Sequence, residues 1–148
     1  MTITYIEFMP VAKAITLQPF PGDVLVSITE PDCTPKPIFQ DGWKDIVRLE
    51  FWDIEAIKDR MFYPINDAQA KEIADFIRRH HEGREDVRLM VHCRAGISRS
   101  AGVALAAFEF TQYSGREAEF PGLMNVDRRN ALVCRKVMDA LGMGIINV

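Results

Sequence analysis

The chain has 148 residues, 48% apolar and 26% charged, with a formal net charge of −3. That size suits one globular domain over 1–148, with enough apolar material for a core that needs no metal or disulfide staples. The acidic balance excludes a broad basic face for nucleic acid, although it leaves room for a small cationic site.

Met1 to Tyr5 shows no basic region leading into an apolar run, so no signal peptide is expected. No apolar stretch approaches the ~18 residues of a membrane span. Ile3 to Phe8 is a possible strand. Val24 to Ile28 is a clearer one, β-branched and bounded by Gly22-Asp23 and Glu30-Pro31. Glu30 to Gly42, with Pro31, Pro35 and Pro37, reads as a surface loop. Ile46 to Phe51 and Val87 to Val91 read as further strands. Between them Ala70, Ile73, Ala74, Phe76 and Ile77 recur at helical spacing, which predicts a helix over 67–80. Asn66 and Gln69 can form its capping box. A nearly all-apolar helix starts near Ser100 and must be buried. A short helix is expected after Ser114, with Glu117 as its capping partner. Another is expected over 127–141, stopping at Gly142. Alternating strands and helices predict an α/β fold with a mostly parallel central sheet of four to five strands flanked by helices. In such folds ligands gather at the carboxyl ends of the strands.

Three cysteines, Cys33, Cys93 and Cys134, are an odd and sparse set. They suit neither a disulfide framework nor a C-x-x-C zinc site, and a reduced, cytoplasmic setting is expected.

One segment carries chemistry: His92-Cys93-Arg94-Ala95-Gly96-Ile97-Ser98-Arg99-Ser100. A strand is expected to end at His92 and a helix to begin near Ser100. A loop between such elements presents backbone N–H groups to a concave space, and the helix dipole adds positive potential. That is a site for an anion, and a phosphate fits it. Cys93 lies within it, where the same N–H groups favour a thiolate, the reactive form. Arg99 can grip two phosphate oxygens with its planar fork. Gly96 leaves space where the loop turns close to its ligand. Ser100 brings a hydroxyl towards the thiolate. Singly, a Cys is usually a small buried hydrophobe, an Arg a solvated charge and a Gly a turn. Five specified residues at fixed spacing, however, arise by chance about once in 10⁷ start positions at average usage.

This segment resembles the H-C-x-x-G-x-x-R-S signature of the protein tyrosine phosphatases, most closely their compact dual-specificity branch. The resemblance extends at the level of pattern over about Val24 to Leu141, and the first twenty residues lie outside it. It implies a phosphomonoester hydrolase acting in two steps through a cysteinyl-phosphate on Cys93. Arg99 and the loop amides of Arg94, Ala95, Gly96, Ile97 and Ser98 would hold the phosphate. His92 would orient the loop, and no metal or cofactor is implied. The substrate would be a phosphorylated protein or a small phosphomonoester, with no nucleic-acid or membrane partner. Oligomeric state is not legible.

The leaving oxygen needs a proton, so a carboxylic acid must face it. The resemblance places this acid on a loop after an earlier strand. Asp53, Asp59 and Asp67 are the candidates. Asp53 is preferred because it directly follows a predicted strand and would emerge at the same sheet edge as Cys93. Asp59 lies between Lys58 and Arg60, a setting typical of a solvated loop, and Asp67 looks like a helix cap. The larger enzymes' tryptophan-proline-aspartate loop has no obvious copy here.

The same loop also serves phosphatases of phosphoinositides and of RNA 5′-phosphates. The loop lacks the Lys of many lipid-directed relatives, and the acidic composition argues against RNA. A non-catalytic phosphate-binding module is the alternative of a different class. Catalytically dead relatives usually lose the Cys or the Arg, and this chain has both.

Overall fold

A computed structural model describes residues 2–57 and 61–143 of the chain. Its strands are β1 (Ile3–Pro10), β2 (Asp23–Thr29), β3 (Asp45–Glu50) and β4 (Val87–Cys93). They form one sheet in the order β1-β4-β2-β3, and every neighbouring pair is parallel. The helices are α1 (Val11–Ala14), α2 (Asp67–His81), α3 (Arg99–Tyr113) and α4 (Ala131–Ala140), with a 3-10 helix at Pro121–Asn125. The fold is therefore α/β with a parallel sheet, as the alternation of elements predicts.

Side chains alternate across a strand, and this splits the core into two layers. Val24, Val26 and Ile28 of β2 and Leu89, Val91 and Cys93 of β4 join the buried residues of α2, α3 and α4. Leu25 and Met90, one position over, pack with Met9 and Ala14 on the opposite face, under Leu17, Phe39 and Trp43. In α2 the predicted stripe is buried, and the capping box forms: Gln69 N donates to Asn66 Oδ1 at 2.8 Å and Asn66 N to Gln69 Oε1 at 3.0 Å. The apolar helix α3 is buried on nearly every side, because it lies between the sheet and α4.

Several boundaries differ from expectation. β4 continues through Cys93, because β1 runs beside it and pairs Pro10 with Cys93. The helix expected directly after Ser114 does not form, and residues 115–120 are not helical. The Ser114 hydroxyl donates to Thr111 O at 2.8 Å and contacts His81 Nε2 at 2.6 Å, so it closes α3 instead of starting a helix. The chain then turns at Gly115 (φ 81°) and runs beside β1, where Ile6 N donates to Glu119 O at 2.9 Å. The last helix begins at Ala131 rather than 127, because Asn130 caps it by accepting from Val133 N at 3.0 Å. Asp67 is the first residue of α2, not its cap, and pairs with Lys136 at 2.6 Å.

Gly102 sits where α3 crosses α4. A Cβ there would meet Asn130 O at 2.9 Å and Val133 Cβ at 3.2 Å. Alanine is the better helix former by ~1 kcal/mol, but overpacking costs ~1–3 kcal/mol and a backbone oxygen cannot swing aside. Gly102→Ala is therefore expected to lower stability by about 1–2 kcal/mol in urea denaturation. An equal or raised midpoint would show that the two helices have room to part.

Candidate functional site

Parallel pairing brings the carboxyl ends of all four strands to one edge. Pro10 lies opposite Cys93, Ser27 opposite His92 and Thr29 opposite Glu50. Glu30, Asp53 and Cys93 consequently emerge together, at the edge where such sheets bind ligands. From Cys93 the chain loops back into α3. Gly96 takes φ 70°, and a Cβ on it would fall 2.2 Å from Pro10 N. No other residue tolerates both the conformation and the contact. The loop is thus pressed against the β1–α1 junction, where Val11 N also donates to Arg94 O at 3.3 Å. Among the described residues, no backbone N–H from Arg94 to Arg99 donates to a backbone acceptor. These groups and the N-terminus of α3 form a cradle of positive potential.

Cys93 and Arg99, at the two ends of this loop, line one cleft of about 290 Å³ with Glu30, Trp52, Asp53 and Phe62. Cys93 Sγ lies 3.1 Å from Ser100 Oγ. Arg99 is buried. Its Nη1 donates to Phe51 O at 2.8 Å and its Nη2 to Glu30 Oε2 at 2.6 Å, while Nε has no partner among the described residues. An unpaired buried cation costs several kcal/mol, so Glu30 is what allows Arg99 to sit here. The other Glu30 oxygen is 3.9 Å from Arg94 Nη1. Sequence reasoning placed Glu30 in a surface loop and missed this contact. Nothing local signals it, since the partners are 69 residues apart.

His92 is fully buried behind the loop. Ser27 Oγ lies 2.7 Å from its Nε2 and Cys93 O lies 3.4 Å from its Nδ1. A carbonyl can only accept, which assigns the proton to Nδ1 and makes Ser27 the donor to Nε2. Phe39 packs against the ring at a tilt of 60°, with centroids 5.4 Å apart. Burial pushes the imidazole down to about 4. His92 is thus neutral at ordinary pH and orients Cys93 through its carbonyl.

Asp53 shares the cleft of Cys93. Its Oδ1 accepts from Ser98 Oγ at 2.7 Å and from Asn130 Nδ2 at 3.0 Å. Asp59 lies outside the described residues. Asp67, held by Lys136, lines a different cleft, between α2 and α4. Of the candidate acids among the described residues, Asp53 alone is beside Cys93. Asp53, Ser98 and Asn130 also line a neighbouring cleft of about 620 Å³ with Arg128 and Arg129. Of the predicted phosphate-binding residues, Arg94, Ala95, Ser98 and Arg99 line the smaller cleft. Gly96 forms the turn, and Ile97 is exposed.

Among the described residues no helix is long and apolar enough to cross a membrane. No group of three or more His, Cys, Asp or Glu side chains among them is arranged to hold a metal ion. No protein-family model matches the chain, and no curated protein matches it in sequence.

The buried imidazole has a consequence for stability. An unfolded chain takes up the His92 proton near pH 6.5, whereas the folded chain does so only near 4. Between those values the unfolded state binds more protons, so stability falls as pH falls. The loss reaches about 3 kcal/mol at the lower end and vanishes above pH 6.5. Urea midpoints of the parent and of His92→Asn, taken from pH 7 to 4, are expected to converge by about that amount. A stability difference independent of pH would contradict the assignment.

Proposed function

We propose that the protein hydrolyses phosphate monoesters through a cysteinyl-phosphate intermediate, as the tyrosine and dual-specificity phosphatases that it resembles do. One observation carries the reading: Cys93 and Arg99 line a single cleft from the two ends of a loop whose N–H groups have no backbone acceptor among the described residues. The Nε of Arg99, buried and without a partner among the described residues, is a further donor available to an anion.

In the proposed first step the Cys93 thiolate attacks phosphorus. The Sγ–P bond forms as the bond to the leaving oxygen breaks, and the Asp53 carboxyl gives that oxygen its proton. In the second step Asp53, now a carboxylate, takes a proton from water while the water oxygen attacks phosphorus. The Sγ–P bond breaks, and Ser100, 3.1 Å from Sγ, donates a hydrogen bond to the departing thiolate. Arg99 and the loop amides hold the non-bridging oxygens and carry their growing charge. Trp52 and Phe62, packed edge to face at 4.8 Å, give the cleft an apolar wall that suits an aryl ester. The proposed substrate is a phosphorylated protein or a small phosphomonoester.

Cys93→Ser is expected to keep the fold and to lower turnover of aryl phosphates below ~10⁻³ of the parent. Asp53→Asn is expected to slow phosphotyrosine hydrolysis by ~10²–10⁴-fold, the usual worth of a positioned acid. It should matter far less for the first-turnover release of a phenolate that leaves without a proton. Substantial turnover by Cys93→Ser would contradict the covalent route. A first-turnover loss on Asp53→Asn that ignores the leaving group would contradict the acid.

A further inference from the structure

Asp53 is exposed, at the head of the loop after β3, and a carboxyl in such a place is normally free to rotate. Here it is gripped. Ser98 Oγ and Asn130 Nδ2 both donate to Oδ1, at 2.7 and 3.0 Å. Ser98 occupies the N-cap position of α3, where a serine hydroxyl ordinarily accepts from the first turn of its helix. It makes no such bond, and donates to Asp53 instead. Asn130 is 2% exposed and uses its whole amide. Its Oδ1 accepts from Val133 N, and Nδ2 donates to Ile54 O at 3.1 Å as well as to Asp53. Its backbone N–H donates to Ser98 O at 3.0 Å. One buried residue at the start of α4, through its side chain and its backbone N–H, therefore joins the loop of Asp53 to the loop of Ser98.

We propose that Asn130 is the positioning residue that sets the general acid, an inference that rests on the phosphatase reading above. Two donors on Oδ1 leave that oxygen no room for a proton of its own. The protonated carboxyl must carry its hydrogen on Oδ2, which takes no hydrogen bond among the described residues. The anti-rotation grip delivers that hydrogen to one place in the cleft of Cys93. Asn130 touches neither phosphate nor leaving group in this scheme; it acts through Asp53. Proton transfer is sensitive to placement, and a displacement on the order of 1 Å costs up to ~10²-fold.

The test separates this role from the capping role of the same side chain. Ser and Asp cap a helix about as well as Asn, but a carboxylate cannot donate, and a Ser hydroxyl that accepts from Val133 N is too short to reach Asp53 as Nδ2 does. Asn130→Ser and Asn130→Asp should therefore fold, as thermal melts will show. Turnover of phenyl phosphate, whose phenolate needs a proton, is expected to fall by ~10–10²-fold in both. First-turnover release of 2,4-dinitrophenolate, which reports thiolate attack without acid or base, should change by less than about 3-fold, within the ordinary scatter of a residue outside the reacting groups. In an Asp53→Asn background, Asn130→Ser should add no further loss, because the group it acts through is gone. Equal losses in the first-turnover rates of both esters, or losses that multiply with those of Asp53→Asn, would overturn the positioning role and leave the phosphatase reading standing. A parent protein inert towards both esters would overturn the phosphatase reading itself, and this inference with it.

Discussion

The arrangement of this site depends on one buried cation. Arg99 opens α3 with its guanidinium out of water, and it needs both an anion and acceptors there. Glu30 supplies the anion from the end of β2, and the carbonyl of Phe51 supplies an acceptor from the end of β3. The loops after two strands are thereby tied to the loop after a third. Asp53 lies two residues beyond Phe51, so the grip on Arg99 also fixes where the loop that carries Asp53 begins. Removing Glu30 would leave a buried charge uncompensated, and the cost would fall on the whole edge rather than on one contact.

A second constraint acts from the opposite side. Gly96 approaches the backbone of Met9 and Pro10 so closely that no side chain fits between them. β1 is therefore part of the site's scaffold: it pairs with β4 up to Cys93 and presses on the loop that follows. The family resemblance begins only near Val24 and is silent about this strand. Its role follows from the parallel register, which ends β1 and β4 at the same level.

Much of this was legible in the sequence, for local reasons. The spacing of Ala70, Ile73, Ala74, Phe76 and Ile77 marks a helix because burial of one face repeats with the helical turn. The Asn66–Gln69 box is likewise a contact within one turn. The segment from His92 to Ser100 is legible as a unit because a short strand-to-helix loop brings residues at fixed chain spacing to one cleft. Glu30 and Asn130 were not legible. Their contacts span 69 and 77 residues, and a Glu after a strand or an Asn before a helix has an ordinary explanation in turn and cap chemistry. Ser114 misled for a related reason: a serine can close one helix as well as start another, and only tertiary contacts with His81 decide between them.

The central claim is that Cys93 becomes covalently phosphorylated. The direct measurement uses Asp53→Asn with 2,4-dinitrophenyl phosphate. Formation of the intermediate then needs no acid, while its hydrolysis lacks its base, so the intermediate should accumulate. Acid quench within the first turnover, followed by peptide mass spectrometry, is predicted to find one phosphoryl group on the peptide that contains Cys93, in proportion to a burst of phenolate. Phenolate release without a burst, or a phosphoryl group on any other side chain, would contradict the account.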